Sequence, residues 1–200
     1  MLPFDFMDFP TLHTDRLLLR EIVAGDADAI FAIRGDYAVT RLNIGAAYTS
    51  VDEARDLIES MTRAYQERRA LRWGVCIRNG EEVGPVVGMC GFNYWDQTDR
   101  RASVGFDLAQ ACWGRGIMGE TLRAVLRFGF VEMNLNRIEA DTSADNLPSI
   151  RLLERVGFCC EGTQRQQYWE AETGAFADLH LYALLRYEWA ATNHGASFKK

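Results

Sequence analysis

The 200-residue sequence predicts an α/β domain of the mixed α+β kind, with a central mixed sheet of about seven strands and helices on both faces. Three observations carry this. Several short stretches alternate apolar and polar residues as half-buried strands do. A glycine-rich turn, Trp113-Gly114-Arg115-Gly116-Ile117-Met118-Gly119-Glu120, opens a strongly periodic helix. A strand stands on each side of that helix, and such a crossover brings its two strands parallel within an otherwise antiparallel order.

Arg16 to Ile22 alternates as the first strand, and Ala24-Gly25-Asp26 then offers a turn and a cap for a short helix over Ala27 to Arg34. Ser50 or Asp52 caps a longer helix reaching about Arg69, with Ala54, Leu57, Ile58, Met61 and Tyr65 on one face. Arg72 to Ile77, Val86 to Tyr94 and Arg101 to Leu108 read as an antiparallel meander, parted by Asn79-Gly80 and by the polar segment Asp96 to Arg100. The helix after the glycine turn runs from about Ile117 to Glu132, because Met118, Leu122, Val125, Leu126, Phe130 and Met133 recur at three-to-four spacing. A strand over Arg137 to Thr142 completes the crossover, and Leu147 to Val156 forms a further helix closed by Gly157. Phe158 to Trp169 and Phe176 to Leu185 end the chain as a hairpin.

Composition bounds the class. With 48% hydrophobic and 25% charged residues, the chain suits one substantial core, so residues 1–200 are expected to form a single domain, with 1–10 as a peripheral arm and 190–200 as a flexible tail. Five cysteines without a Cys-x-x-Cys pair suggest neither a disulfide framework nor a zinc site, and no metal is expected. A reducing, cytoplasmic compartment follows. Met1 to Pro10 carries Asp5 and Asp8 without a basic stretch, and no apolar run approaches the roughly 18 residues of a membrane span. A formal net charge of −6 disfavours nucleic acid and modestly favours a cationic substrate. The aromatic N-terminal segment would suit a dimer contact, which leaves a homodimer open.

The glycine turn carries the functional signal. The first turn of a helix leaves four N–H groups without partners, and residues 112–119 contain no Ser, Thr, Asp or Asn to cap them. Glycines admit a ligand close to the backbone, the helix dipole favours an anion, and Arg115 adds a cation. The expected guest is a phosphate or diphosphate. A P-loop would need Gly-Lys-Ser/Thr next, which is absent. Gly114-x-Gly116-x-x-Gly119 is literally a dinucleotide fingerprint, with Glu139 about twenty residues on, but a Rossmann unit would continue with more strand-helix pairs.

The order of motifs extends well beyond the turn. After the helix come Arg137 to Thr142, Asn146-Leu147-Pro148-Ser149 and Leu153-Glu154-Arg155-Val156-Gly157-Phe158. This succession resembles the GNAT N-acetyltransferases of the RimJ/RimL-type branch. Thr14-Asp15-Arg16-Leu17-Leu18-Leu19-Arg20 and Tyr182-Ala183-Leu184-Leu185-Arg186-x-Glu188-Trp189 are similar to that branch too, so the resemblance spans nearly the whole chain. One departure stands out. The superfamily loop reads Gln/Arg-x-x-Gly-x-Gly/Ala, whereas the first position here is Ala111 and Gln110 lies one place early. Backbone amides hold the diphosphate, so the departure touches one side-chain contact.

The resemblance implies a transferase using acetyl-CoA (coenzyme A after transfer), lodged between the strand ending at Leu108 and the one beginning at Arg137. Its diphosphate would rest on Gly114, Arg115, Gly116, Ile117, Met118 and Gly119. Backbone groups of Asp107 and Leu108 would pair with the pantetheine arm, the Leu108 N–H serving the thioester oxygen. Asn146 would bond the pantetheine amides or merely cap the helix behind it. Ser149 would donate a proton to the thiolate, or is only a favourable first-turn residue. Asp141 would be the base, as proposed for ribosomal alanine acetyltransferases, and Glu139 shares its strand face. Either could act directly or through water, or merely solvate the surface. An α-amine of pKa near 8 is already about a tenth neutral at pH 7, whereas a lysine-like amine is not, so the need for a base depends on the acceptor.

Tyr94 and Trp95 would line the acceptor pocket, or serve as core or dimer aromatics. His180 and Tyr182 are read as packing. Direct attack by the amine is expected, so Cys112, Cys159 and Cys160 are not nucleophiles. The acceptor is a protein N-terminal amine of the ribosomal-protein kind, or else a small cationic amine such as a polyamine, antibiotic or amino acid. From another class, a non-catalytic acyl-CoA sensor would share the same loop.

Overall fold

The computed structural model describes residues 7–41, 46–170 and 173–193. Strands β1 (Leu12–His13) and β2 (Leu17–Arg20) precede helices α1 (Ala27–Arg34), α2 (Tyr37–Thr40) and α3 (Val51–Gln66). Then come β3 (Leu71–Asn79), β4 (Glu82–Asp96), β5 (Arg101–Leu108), α4 (Ile117–Val131), β6 (Arg137–Ser143), α5 (Leu147–Arg155), β7 (Cys159–Glu170), β8 (Ala175–Leu185) and α6 (Arg186–Asn193). The eight strands form one sheet in the order β1-β2-β3-β4-β5-β6-β8-β7. Every neighbouring pair is antiparallel except β5 and β6, the two strands that α4 connects.

Local chemistry explains the limits. Ser50 precedes α3 in extended conformation but makes no capping bond with its side chain, contrary to expectation, and Asp52 lies inside the first turn; Asn146 caps α5 by accepting the Ser149 N–H at 3.1 Å. Gly157 follows α5 at φ 104°, a left-handed turn that glycine takes without strain. The eighth strand, β1, is two residues long and therefore too short to show a period. Helix α2 is a single turn held by Asp36, whose side chain accepts the Ala38 N–H at 2.9 Å. Helix α6 runs into ground read from sequence as tail, since its residues 190–193 belong to the expected 190–200 segment. Trp189 packs its ring 5.2 Å from Phe130, and Glu188 accepts the Leu185 N–H at 2.9 Å, anchoring the helix to β8. Residues 1–6 of the expected arm and 194–200 of the expected tail lie outside the described residues. The adjoining residues 8–10 are fastened down. Phe9 meets Tyr65 and Trp73, while Tyr65 donates to the Asp8 carbonyl and Trp73 Nε1 to that of Pro10.

Alternation along the strands builds a core on each face. Leu122, Val125, Leu126 and Phe130 of α4 are essentially inaccessible and pack with Trp73, Phe92, Val104 and Ile138 of the sheet. Each such side chain contributes about 1.5–3 kcal/mol of burial. Ile30 and Ile33 of α1 and Ala54 and Ile58 of α3 cover Cys76, Val86 and Met89 on the other face. The sheet is continuous except at one seam. Strands β5 and β6 pair only at Arg101–Arg137, Ala102–Ile138 and Ser103–Glu139, after which the two separate.

Candidate active site

The glycine turn forms an open cradle of backbone amides. Gly114 and Gly116 lie at φ 70° and 75°, and α4 begins just after Gly116 with no side chain capping its first turn. A Cβ on Gly114 would meet nothing within 4 Å, and one on Gly116 only Arg16 Nη2 at 3.7 Å. These glycines are therefore set by backbone conformation and not by crowding. Arg16 is a cation that sequence reading did not place here. Its Nη1 donates to the Arg115 carbonyl at 3.3 Å, and its Nε and Nη2 bind Glu120 at 2.8 and 2.7 Å. Glu120 also accepts from Thr14 Oγ1 at 2.6 Å and the Arg16 N–H at 3.2 Å. Burial works to raise the Glu120 pKa, and these donors outweigh it, holding the carboxyl below its ordinary range. The N-terminal Thr14-Asp15-Arg16 motif is thus tied to the glycine turn.

Beside the cradle, the separation of β5 and β6 bares a strand edge. The Ala109 N–H donates to the Val87 carbonyl at 2.9 Å, which fixes the alternation of the β4–β5 ladder. Residues two apart share a direction, so the peptide groups of Asp107 and Gly105 face β4 and those of Phe106 and Leu108 face the gap. Of the two residues whose backbone was expected to pair with the pantetheine arm, Leu108 turns its peptide groups to the gap, while those of Asp107 belong to the ladder with β4 and Phe106 lies on the open edge instead. Trp113, ignored in the sequence reading beyond its motif, donates from Nε1 to the Leu108 carbonyl at 2.8 Å and closes the end of the strand.

The gap opens into a cavity of ≈ 250 Å³. Asp141, Asn146 and Ser149 line it from β6 and α5, as do Arg34, Arg72, Asn93, Gly105 and Asp107 from the opposite wall. Asp141 is open to the cavity yet crowded by protein, and that desolvation raises its carboxyl above the usual aspartate range. Glu139 is not among the lining residues. Its Oε1 accepts from Arg137 Nε at 2.7 Å and lies 3.9 Å from Arg101 Nη1. Ser149 and Asn146 are both buried, and the capping bond of Asn146 to the Ser149 N–H shows directly one of its two readings.

Tyr94 and Trp95 do not line this cavity. Trp95 is 6% exposed within the core, and Tyr94 lies on the surface, donating to Asp96 Oδ2 at 3.1 Å beneath the Arg101 guanidinium. A bulge at Asn93, between Phe92 and Tyr94, changes the alternation just before them. Asn93 is the β4 residue that faces the cavity, donated to by Arg72 Nη1 at 2.8 Å. A Cβ on Gly105 would fall 2.4 Å from Asn93 Nδ2, so the glycine makes room for this amide.

Asp107, 5% exposed at its side chain, lies 3.1 Å from Arg34 Nη1 and 3.5 Å from Arg72 Nη2. Burial works to lower the Arg34 pKa, and Asp107 and Tyr48 override it, so the guanidinium stays charged. Cys112 is buried in the core, and Cys159 and Cys160 are exposed on β7 away from the lining residues. Tyr182 is buried in the core, while His180 bonds Thr163 Oγ1 at 2.9 Å. Among the described residues, no group of His, Cys, Asp and Glu is placed to hold a metal ion, and no helix is long and apolar enough to cross a membrane.

Comparison with known proteins places this arrangement. Residues 16–159 match the acetyltransferase (GNAT) domain family. The N-acetyltransferase p20 of Bacillus licheniformis is 37% identical over 180 residues, which cover 90% of this chain and 98% of that protein. The crystal structure of a GNAT-family acetyltransferase from Bacillus anthracis aligns with a TM-score of 0.77 at 23% identity, covering 90% of this chain and 100% of that one. The RimL ribosomal L7/L12 α-N-protein acetyltransferase in complex with coenzyme A aligns with a TM-score of 0.78 at 21% identity, covering 88% and 98%. The open amide cradle, the bared strand edge and this kinship agree, and the chain belongs to the GNAT family as an N-acetyltransferase.

Proposed function

We propose that the chain moves the acetyl group of acetyl-CoA to a primary amine by direct attack, without an acyl-enzyme. The observation that carries this reading is the adjacency of two bare backbone surfaces: the uncapped turn at Gly116–Gly119 and the β5 edge at Phe106 and Leu108. An extended thioester ending in a diphosphate is the ligand that fits both. Acetyl-CoA, when bound, supplies the activated acyl thioester. Gly114 to Gly119 would hold its diphosphate with Arg115 and Arg16 as flanking cations, and the Leu108 N–H is directed to serve a carbonyl oxygen in the gap.

Asp141 suits the base. It faces the cavity, and its raised pKa brings it closer to the pH at which proton transfer is most effective. Glu139 already serves Arg137. The Ser149 hydroxyl holds a proton on the same wall of the cavity as Asp141, and Asn146 keeps that helix turn in register. A peptide α-amine is favoured as the acceptor because the coenzyme-bound structural neighbour is a ribosomal-protein α-N-acetyltransferase. A small cationic amine is the alternative. Five unbridged cysteines support a reducing, cytoplasmic setting.

Calorimetry with coenzyme A, followed by thiol release from acetyl-CoA over a panel of amines, tests the reading. Saturable binding with amine-dependent thiol release is expected. Binding without release identifies a sensor, and protection by NAD(H) but not coenzyme A points to the dinucleotide reading.

A further inference from the structure

We infer that the acceptor carries a carboxylate near the amine that is acetylated, and that Arg34 and Arg72 bind it. The inference rests on the acetyltransferase reading of the cavity and adds the chemistry of its second substrate.

The β5 wall of the cavity holds more positive charge than it neutralises. Arg34 reaches from α1 and Arg72 from β3 to one carboxylate, Asp107, at 3.1 and 3.5 Å. Arg72 also donates to a neutral acceptor, Asn93 Oδ1, at 2.8 Å. The buried Nε of each arginine has no hydrogen-bond partner among the described residues. Two partly desolvated guanidiniums sharing one carboxylate leave a unit of positive charge for a ligand to answer. Both side chains keep access to the cavity, at 22% and 18% exposed, and Arg34 is steadied by the Tyr48 ring 5.3 Å away.

The β6 wall has the opposite sign, because Asp141 faces the same cavity. The field across the cavity is therefore polarised, cationic at α1 and β3 and anionic at β6. A molecule with an amine and a carboxylate fits in one orientation, its nitrogen toward Asp141 and its carboxylate toward the arginines. A polyamine would set a second cation against Arg34 and Arg72. The ≈ 250 Å³ volume lies below the roughly 300–1,000 Å³ of sites for drug-sized ligands, so the acceptor portion is compact. A free amino acid and the first residues of an acidic peptide both meet this description. The local field thus outweighs the preference for cations suggested by the net charge of −6.

The test is a comparison of matched acceptors by thiol release from acetyl-CoA: an amino acid against its primary amide, and a Ser-Asp peptide against its Ser-Asn counterpart. The carboxylate member of one pair should be favoured by about tenfold or more in kcat/KM, chiefly through KM, as a charge-assisted contact gives. The pair that shows the preference identifies the source. Arg72→Gln should erase the difference, and Asp107→Asn, which removes the competing carboxylate, should widen it. Circular dichroism and coenzyme A calorimetry check that each variant folds, and the wild-type ratios decide if neither does. Equal kcat/KM within both pairs, or a preference that survives Arg72→Gln, overturns the inference while leaving the acetyltransferase reading intact. Absence of coenzyme A binding and of thiol release overturns both.

Discussion

Replacing Gly116 by alanine isolates the contribution of the amide cradle. Gly116 lies at φ 75°, where an L-residue costs roughly 1–2 kcal/mol, and its added Cβ would meet only Arg16 Nη2 at 3.7 Å. The cost is therefore conformational and falls on the turn that opens α4. If the protein keeps this turn only to present its amides, the strain is relieved by the exposed loop shifting, and ligand binding bears the loss. Coenzyme A affinity should fall by about 5- to 30-fold, the equivalent of that strain, while the thermal midpoint changes by only a few degrees. Titration calorimetry at fixed ionic strength measures the affinity, and circular dichroism the midpoint. Gly174→Ala is the control. Gly174 lies in the turn between β7 and β8 at φ 62°, and its added Cβ would meet nothing within 4 Å, so it carries the same backbone strain outside the cradle. It should bind coenzyme A within about twofold of the parent. Equal affinity in the parent and Gly116→Ala, or equal losses in both variants, would refute the argument from backbone conformation.

Asp141→Asn should lower kcat about a hundredfold for a lysine-like acceptor and less for an α-amine, the magnitude of lost acid–base catalysis. The folded pKa of Asp141 is raised, so its stabilising protonated form is lost as pH rises from the ordinary value of 3.8 through the folded value. The asparagine variant should consequently melt no lower than the parent at pH 7, and the acidic limb of the kcat/KM profile should disappear with the carboxyl. An unchanged profile would sink the assignment. Gly129→Ala should destabilise the fold by about 1–3 kcal/mol through overpacking, because its Cβ would lie 2.7 Å from Phe92 Cζ and 3.0 Å from Ile138 Cδ1. Thermal denaturation tests this, and a midpoint equal to the parent's would show that α4 rides on the sheet more loosely than its contacts indicate.

How far the sequence spoke depends on how local each signal was. Helix α1 over Ala27–Arg34 and strand β5 over Arg101–Leu108 have the limits expected of them, since turn residues bracket both. Helices α4 and α5 agree to within a residue at their ends, as strong three-to-four periodicity allows. Tyr94 and Trp95 were named from their place at the end of a strand, where neighbours point to opposite faces, so the two could not both line one cavity. A bulge at Asn93, which carries no compositional mark, precedes them, and it is Asn93 that lines the cavity. Arg34, Arg72 and the side-chain role of Asp107 escaped for another reason. Arg34 and Asp107 are 73 positions apart, and only the stacking of α1 on the sheet reveals that they meet. Thr14 and Arg16 were visible as a motif, but their attachment to Glu120, over a hundred positions on, was not. Asp141, Asn146 and Ser149 were legible because a single strand-turn-helix brings them to the cavity.

The short pairing between β5 and β6 has a mechanical corollary. Three residue pairs join a five-strand block to a three-strand block, so the sheet resembles two leaves on a narrow spine. A chain-like guest lying along the spine would act as a surrogate ninth strand, knitting the leaves by hydrogen bonds that neither can give the other. Amide exchange at Phe106 and Leu108 should slow on saturation with coenzyme A, and the two leaves should then melt as one body.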